Sequence, residues 1–230
     1  VSKKIPLILA LAFILGMFAY AVFDLETLFN PEGKQYFFEY GLEETGARNL
    51  VTAILLDYRL FDSLFEAGIL LVAVSGVIWI SKHDLEEKNA KFMIDKYKTP
   101  DLFVSLSRLV FPLMLTFGFY IIVNGHLSPG GGFQGGAIAA TAILILYYID
   151  TEKETNINFI VTSEKLIYLA IILISTISLF TRTAVFTNFM PLDATEGMKS
   201  IYLVGLNVLI GLKVALGLWT IFTAFLKEGR

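Results

Sequence analysis

The 230-residue chain is 56% hydrophobic, with a mean hydropathy of +0.69 and a net charge of −3. Soluble domains usually hold roughly 45–50% apolar residues, and a weakly negative chain offers no footprint for nucleic acid. It has no cysteine, which excludes disulfides, thiolate zinc sites and cysteine-held iron–sulfur clusters, so redox chemistry must belong to another chain.

The apolar residues fall in runs. Ile5 to Phe23 carries no charge. Lys3 and Lys4 ahead of it suit a secretory signal, but the run exceeds the usual ~7–15 apolar residues and reads as a membrane helix. Asp24 to Asp62 follows with eight acids and three bases. Ser63 to Ser81 contains one charge, Glu66. Lys82 to Asp101 holds five lysines and five acids and reads as a solvated linker, the best boundary in the chain. Leu102 to Asn124 contains one charge, Arg108, and Phe133 to Ile149 none. Leu166 to Thr181 is uncharged and continues toward Leu192 with only Arg182, and Ser200 to Leu226 contains one charge, Lys213. About 20 apolar residues cross a bilayer as a helix. The expected fold is therefore all-α, a polytopic membrane protein with six transmembrane helices, two before the linker and four after it.

Lysine and arginine near helix ends set orientation. With both termini inside, the inner segments hold Lys3, Lys4, Lys82, Lys88, Lys91, Lys96, Lys98, Lys153, Lys165, Lys227 and Arg230; the outer ones hold Lys34, Arg48, Arg59, Arg182 and Lys199. Eleven against five places both termini in the cytoplasm.

Lys213 is the sharpest chemical signal. A lysine at a helix centre costs about 2.5–3.5 kcal/mol to insert and usually faces protein or a wet path. It lies too deep for easy snorkelling, so a functional role or a buried ion pair is expected. In "LLDYRLFDSLFEAG", Arg59, Asp62 and Glu66 share one helix face and Asp57 lies roughly opposite. Asp57, Arg59 and Asp62 suit a charged interfacial helix end. Glu66 stands a turn deeper, before an apolar stretch, and is the candidate carboxylate for a proton or a transient Na⁺. Arg108 either snorkels to the near interface or pairs with an acid elsewhere. Pro112 should free a backbone carbonyl in that helix. Ser175, Thr176, Ser178 and Thr181 read as packing groups.

Between two apolar runs stands "NGHLSPGGGFQGG", Asn124 to Gly136. It lacks the lysine and hydroxyl of a phosphate loop. It offers one histidine and no carboxylate, too little for a metal. A structural role fits better: Pro129 stiffens the turn, and Gly130, Gly131 and Gly132 allow unusual backbone angles. His126 then either satisfies a carbonyl or carries a proton. Gly135 with Ala139, Gly136 with Ala140, and Gly211 with Ala215 have the spacing that lets helix backbones approach.

That stretch resembles the signature of the B subunit, the MnhB domain, of Mrp-type multisubunit cation/proton antiporters. His126, Pro129, the glycine run and Phe133 stand in the family's order, and the likeness covers roughly Asp101 to Lys227. "GARNLVTAILLDYRLFDSLFEAGIL" resembles the two-helix segment at the C-terminal end of the large A subunit. That segment is also a separate small subunit in archaeal membrane-bound hydrogenases and sulfur-reducing complexes. The resemblance implies residues 1–81 as an A-like segment, 82–101 as linker and 102–230 as an MnhB-like domain. It also implies a plasma-membrane transport subunit without enzymatic activity or cofactor of its own, working with other antiporter subunits and with hydrogenase-like or sulfur-reducing partners in the lipid bilayer. The other reading is a structural subunit without an ion path.

Overall fold

The computed structural model describes residues 5–23, 31–87, 100–149, 156–181, 186–191 and 193–228. Among them every regular element is helical. Arg182 and most of the charged linker lie outside these residues.

The chain divides into two compact units, Val1–Tyr40 and Gly41–Arg230. The first holds helix α1 (Ile5–Phe23), apolar on every face, and most of α2 (Pro31–Thr45). The division falls inside α2, not at the charged linker. The reason lies in the helix that precedes the linker: its buried residues Leu60, Leu64, Ala67 and Val74 recur at helical spacing and pack into the second unit's core.

In that second unit Asn49 caps α3 (Leu50–Ala53) by accepting from Val51 N. The chain passes through a π-turn, Ile54–Tyr58, into α4 (Leu60–Glu87). Then come α5 (Asp101–Val123), α6 (Gly132–Ile149), α7 (Ile157–Thr176), the short α8 (Ser178–Thr181) and α9 (Glu196–Glu228). Among the described residues four stretches are long and apolar enough to cross a membrane: Leu60–Ser81, Asp101–Val123, Ile157–Thr181 and Glu196–Phe225. The other two expected spans correspond to shorter apolar stretches, Leu11–Tyr20 and Gly132–Tyr147.

One expected boundary moves. The fifth span begins at Ile157 and not at Leu166, because Asn156 caps the helix by accepting from Phe159 N. Glu164 and Lys165 are thereby drawn into the span. The span ends at Thr181, and the described residues 186–191 and 193–195 are turn and irregular chain rather than membrane helix.

α9 is the central helix. In its apolar window 56% of residues are buried, against 17–22% in the other three long spans. Its Leu203, Leu206, Ile210 and Val214 meet Ala53, Leu56, Leu60, Leu64 and Ile171 in the main core. α4, α6 and α7 pack along it, and α5 packs chiefly on α6. Pro112 leaves α5 continuous, and its carbonyl accepts from Thr116 Oγ1 at 2.8 Å.

Candidate functional site

Two constellations lie along α9. The first surrounds the glycine loop. Gly130 and Gly131 have φ of +155° and +152°, where side chains are strained. The loop is gripped from both sides. Asn49 Nδ2 donates to the Gly125 and Ser128 carbonyls at 2.8 and 3.0 Å, and Thr52 Oγ1 to Gly125 O at 2.6 Å. Asn207 Oδ1, on α9, accepts from Gly132 N at 2.8 Å. A Cβ on Gly132 would stand 2.5 Å from Asn207 O, and one on Gly136 would stand 2.6 Å from Gly211 O. Gly135 meets Gly118 O and Ile122 on α5 just as closely. Small residues thus bring α5, α6 and α9 nearly backbone to backbone. Phe133 packs against the main core, and Pro129 sits exposed on the turn. His126 is largely buried; its Nδ1 lies 3.2 Å from Val123 O, and its own carbonyl accepts from Asn49 N.

The second constellation is charged. Lys213 is fully buried at mid-helix. Its Nζ stands 3.1 Å from Glu164 Oε1, itself fully buried, on α7. It also donates to Ala67 O on α4 at 2.7 Å and lies 5.9 Å from the centre of the Tyr168 ring. Tyr168 Oη donates to Leu64 O at 3.2 Å. Gly217 makes room for the carboxylate: a Cβ there would lie 3.1 Å from Glu164 Oε1. Glu164 Oε2 has no hydrogen-bond partner among the described residues. One ammonium therefore joins three helices, and the carboxylate that balances it keeps one oxygen free to accept a further donor or cation.

The other expected residues are spread out. Glu66 is exposed on the outward face of α4, although the next residue, Ala67, bonds Lys213. Asp62 pairs with Arg59 at 2.6 Å in an exposed i,i+3 bridge. Arg108 is exposed on α5. Among the described residues no group of acids and histidines could hold a metal ion.

Two acids were not anticipated in these roles. Glu164 escapes a search for uncharged windows because it stands beside Lys165. Its signal is the stripe Ile160, Glu164, Ile171 at helical spacing behind an Asn cap. Asp57 was expected at a charged helix end, but it is buried in the π-turn and accepts from Asn188 Nδ2 at 2.8 Å. Its position opposite Arg59 and Asp62 turns it inward. Beside it, Tyr58 Oη donates to the Glu44 carboxylate.

Comparison with known proteins agrees with this architecture. Residues 102–220 match the domain related to the MnhB subunit of the Na⁺/H⁺ antiporter. An uncharacterized protein of Methanocaldococcus jannaschii is 30% identical over 197 residues, covering 75% of this chain and 74% of that protein. A putative antiporter subunit mnhB2 of Staphylococcus epidermidis is 44% identical over 43 residues, 19% of this chain and 30% of that protein. Among solved structures, a chain of the membrane-bound sulfane sulfur reductase, an archaeal respiratory membrane complex, matches with a TM-score of 0.67 and 29% identity over 98% of this chain and 99% of that one. A chain of the Mrp complex from Dietzia sp. DQ12-45-1b shares the fold, with a TM-score of 0.60 and 22% identity over 96% of this chain and 26% of that one. The helices, the glycine loop and these matches together place the chain in the family of membrane domains related to the MnhB subunit of the Na⁺/H⁺ antiporter.

Proposed function

We propose that this chain is a membrane subunit of a multisubunit antiporter module, contributing to Na⁺/H⁺ translocation within a respiratory complex of the plasma membrane. The observation that carries the reading is the Lys213–Glu164 pair, two charges held without exposure at membrane depth. Ionisable residues in membrane spans mark ion paths and proton relays. A proton or cation arriving at Glu164 Oε2 neutralises the carboxylate, and Lys213 keeps its contacts with Oε1, Ala67 O and the Tyr168 ring but loses its counter-charge. A buried ammonium without its counter-charge is then drawn toward another acid. Because Lys213 is bonded to the backbone next to Glu66, such a move reaches the outward face of α4. There Glu66 serves as the second acid, binding Na⁺ or H⁺ against a partner subunit.

In this proposal the region before the linker descends from an A-subunit-like segment and both termini are cytoplasmic. The partners are other antiporter subunits and redox subunits of a hydrogenase-like or sulfur-reducing kind, whose centres do the catalysis. The nearly full-length likeness to the sulfane sulfur reductase chain supports a respiratory setting. The test is Glu164→Gln in the assembled complex in inverted vesicles. Sodium-dependent proton movement should fall at least about tenfold, equivalent to ~1.4 kcal/mol. Unchanged transport in a fully assembled complex would sink the reading and leave a purely structural subunit.

A further inference from the structure

α4 and α7 both pack along α9 but touch each other sparsely. They are pinned where Tyr168 reaches Leu64 O, over the space left by Gly68. On either side of that pin the described residues line two hollows. One, of about 550 Å³, is lined by Phe61, Phe65, Ile69, Val72, Ile172 and Phe186 among others, with Tyr168 the only polar side chain among the described residues that line it. The other, of about 460 Å³, sets Ser75, Asn158, Thr162 and Lys165 among Ile78, Trp79, Ile157 and Val161, with no acid among the described residues that line it. One helical turn separates them on each helix, Val72 to Ser75 and Lys165 to Tyr168.

Their depths differ. The more polar hollow opens where the span Leu60–Ser81 ends and the span Ile157–Thr181 begins, and runs inward to Ser75 and Lys165, about 9–12 Å inside those ends at 1.5 Å per residue. Trp79 stands near that opening, and the exposed Lys165, about one turn below Thr162, has a stem long enough to snorkel toward it. The apolar hollow lies at hydrocarbon depth. From Trp79, near the opening, to Ile69 in the apolar hollow is about 15 Å along α4 at 1.5 Å per residue. That is the depth of one leaflet of a ~30 Å core. A polar, cationic mouth above an apolar groove one leaflet deep has the profile of a phospholipid. A cation entrance would not place a lysine at its mouth.

We propose that the α4–α7 seam holds one anionic phospholipid, with its phosphate against Lys165, Asn158 and Thr162 and one acyl chain along Val72, Ile69 and Phe65. The chain then packs on Tyr168, the ring facing Lys213, and keeps water from the buried pair. This inference does not depend on the chain carrying ions.

The test uses the full-length chain in detergent, offered equal amounts of phosphatidylglycerol and phosphatidylcholine and weighed by native mass spectrometry. One phosphatidylglycerol should be retained about fivefold over phosphatidylcholine, the preference expected of one lysine near an anionic lipid. Lys165→Gln should bring the ratio to about one. Val72→Trp should lower retention of both lipids without altering the ratio. Phosphatidylglycerol with a brominated chain should quench Trp79 fluorescence, the difference between the native chain and Trp79→Phe reporting that residue. Equal retention by the native chain, or an unchanged ratio in Lys165→Gln, overturns the proposal. So does a dimer that Val72→Trp dissociates, which would give the seam to a second copy.

Discussion

The two halves of α9 solve the same packing problem in opposite ways. Around Asn207 and Gly211 the helix meets α6 with almost nothing between the backbones. Around Lys213 and Gly217 it meets α4 and α7 through two full charges. The first contact depends on small residues and close dispersion contacts. The second gives up that economy, since a buried ion pair often contributes less than apolar residues of equal volume. A helix able to pack so closely in one half has no structural need for a lysine in the other. Under the proposed function, the charged half is the place where transport costs stability.

The largest expected effect comes from breaking the charged half unevenly. Lys213→Met alone strands Glu164 and should cost about 3–5 kcal/mol, seen as lost assembly or a collapsed thermal midpoint in detergent. Glu164→Leu combined with Lys213→Met should recover most of that stability while transport stays absent. A double variant that transports normally would make the pair mere packing. Next comes Gly136→Val, which forces atoms against Gly211 O and should cost about 1–3 kcal/mol in the same melt. Sodium-dependent transport per assembled complex should be unaffected, in contrast to Glu164→Gln. Asn207→Leu leaves Gly132 N without its acceptor and should cost about 1–3 kcal/mol. The smallest stability effects belong to the exposed acids. Asp62→Asn should cost less than about 1 kcal/mol, as surface bridges do. Glu66→Gln should shift stability by no more than about 0.5 kcal/mol yet reduce transport by the complex. A Glu66→Gln complex that transports at the native rate would remove that residue from the path.

Much of this was legible from residue order. The apolar runs marked the long spans, because a bilayer sets their length. Lys213 announced itself as a single charge in a long apolar helix. The loop announced itself through its glycines, whose spacing foretold close helix contacts. Glu164 did not, because a charge beside another charge at the edge of an apolar run looks like an interface. Only the cap at Asn156 shows that the helix has already begun. Asp57 could be turned inward by helix geometry, but its partner Asn188 lies 131 residues away, and no local pattern announces that contact.

The cap at Asn156 also works as a depth gauge. It fixes the helical count to Glu164, and each residue in an α-helix adds about 1.5 Å of depth and 100° of rotation. One residue inserted between them would leave charge and composition almost unchanged while turning the carboxylate away from Lys213. What this region must preserve is therefore a distance counted in residues, and a chain could lose the pair by miscounting without losing either member of it.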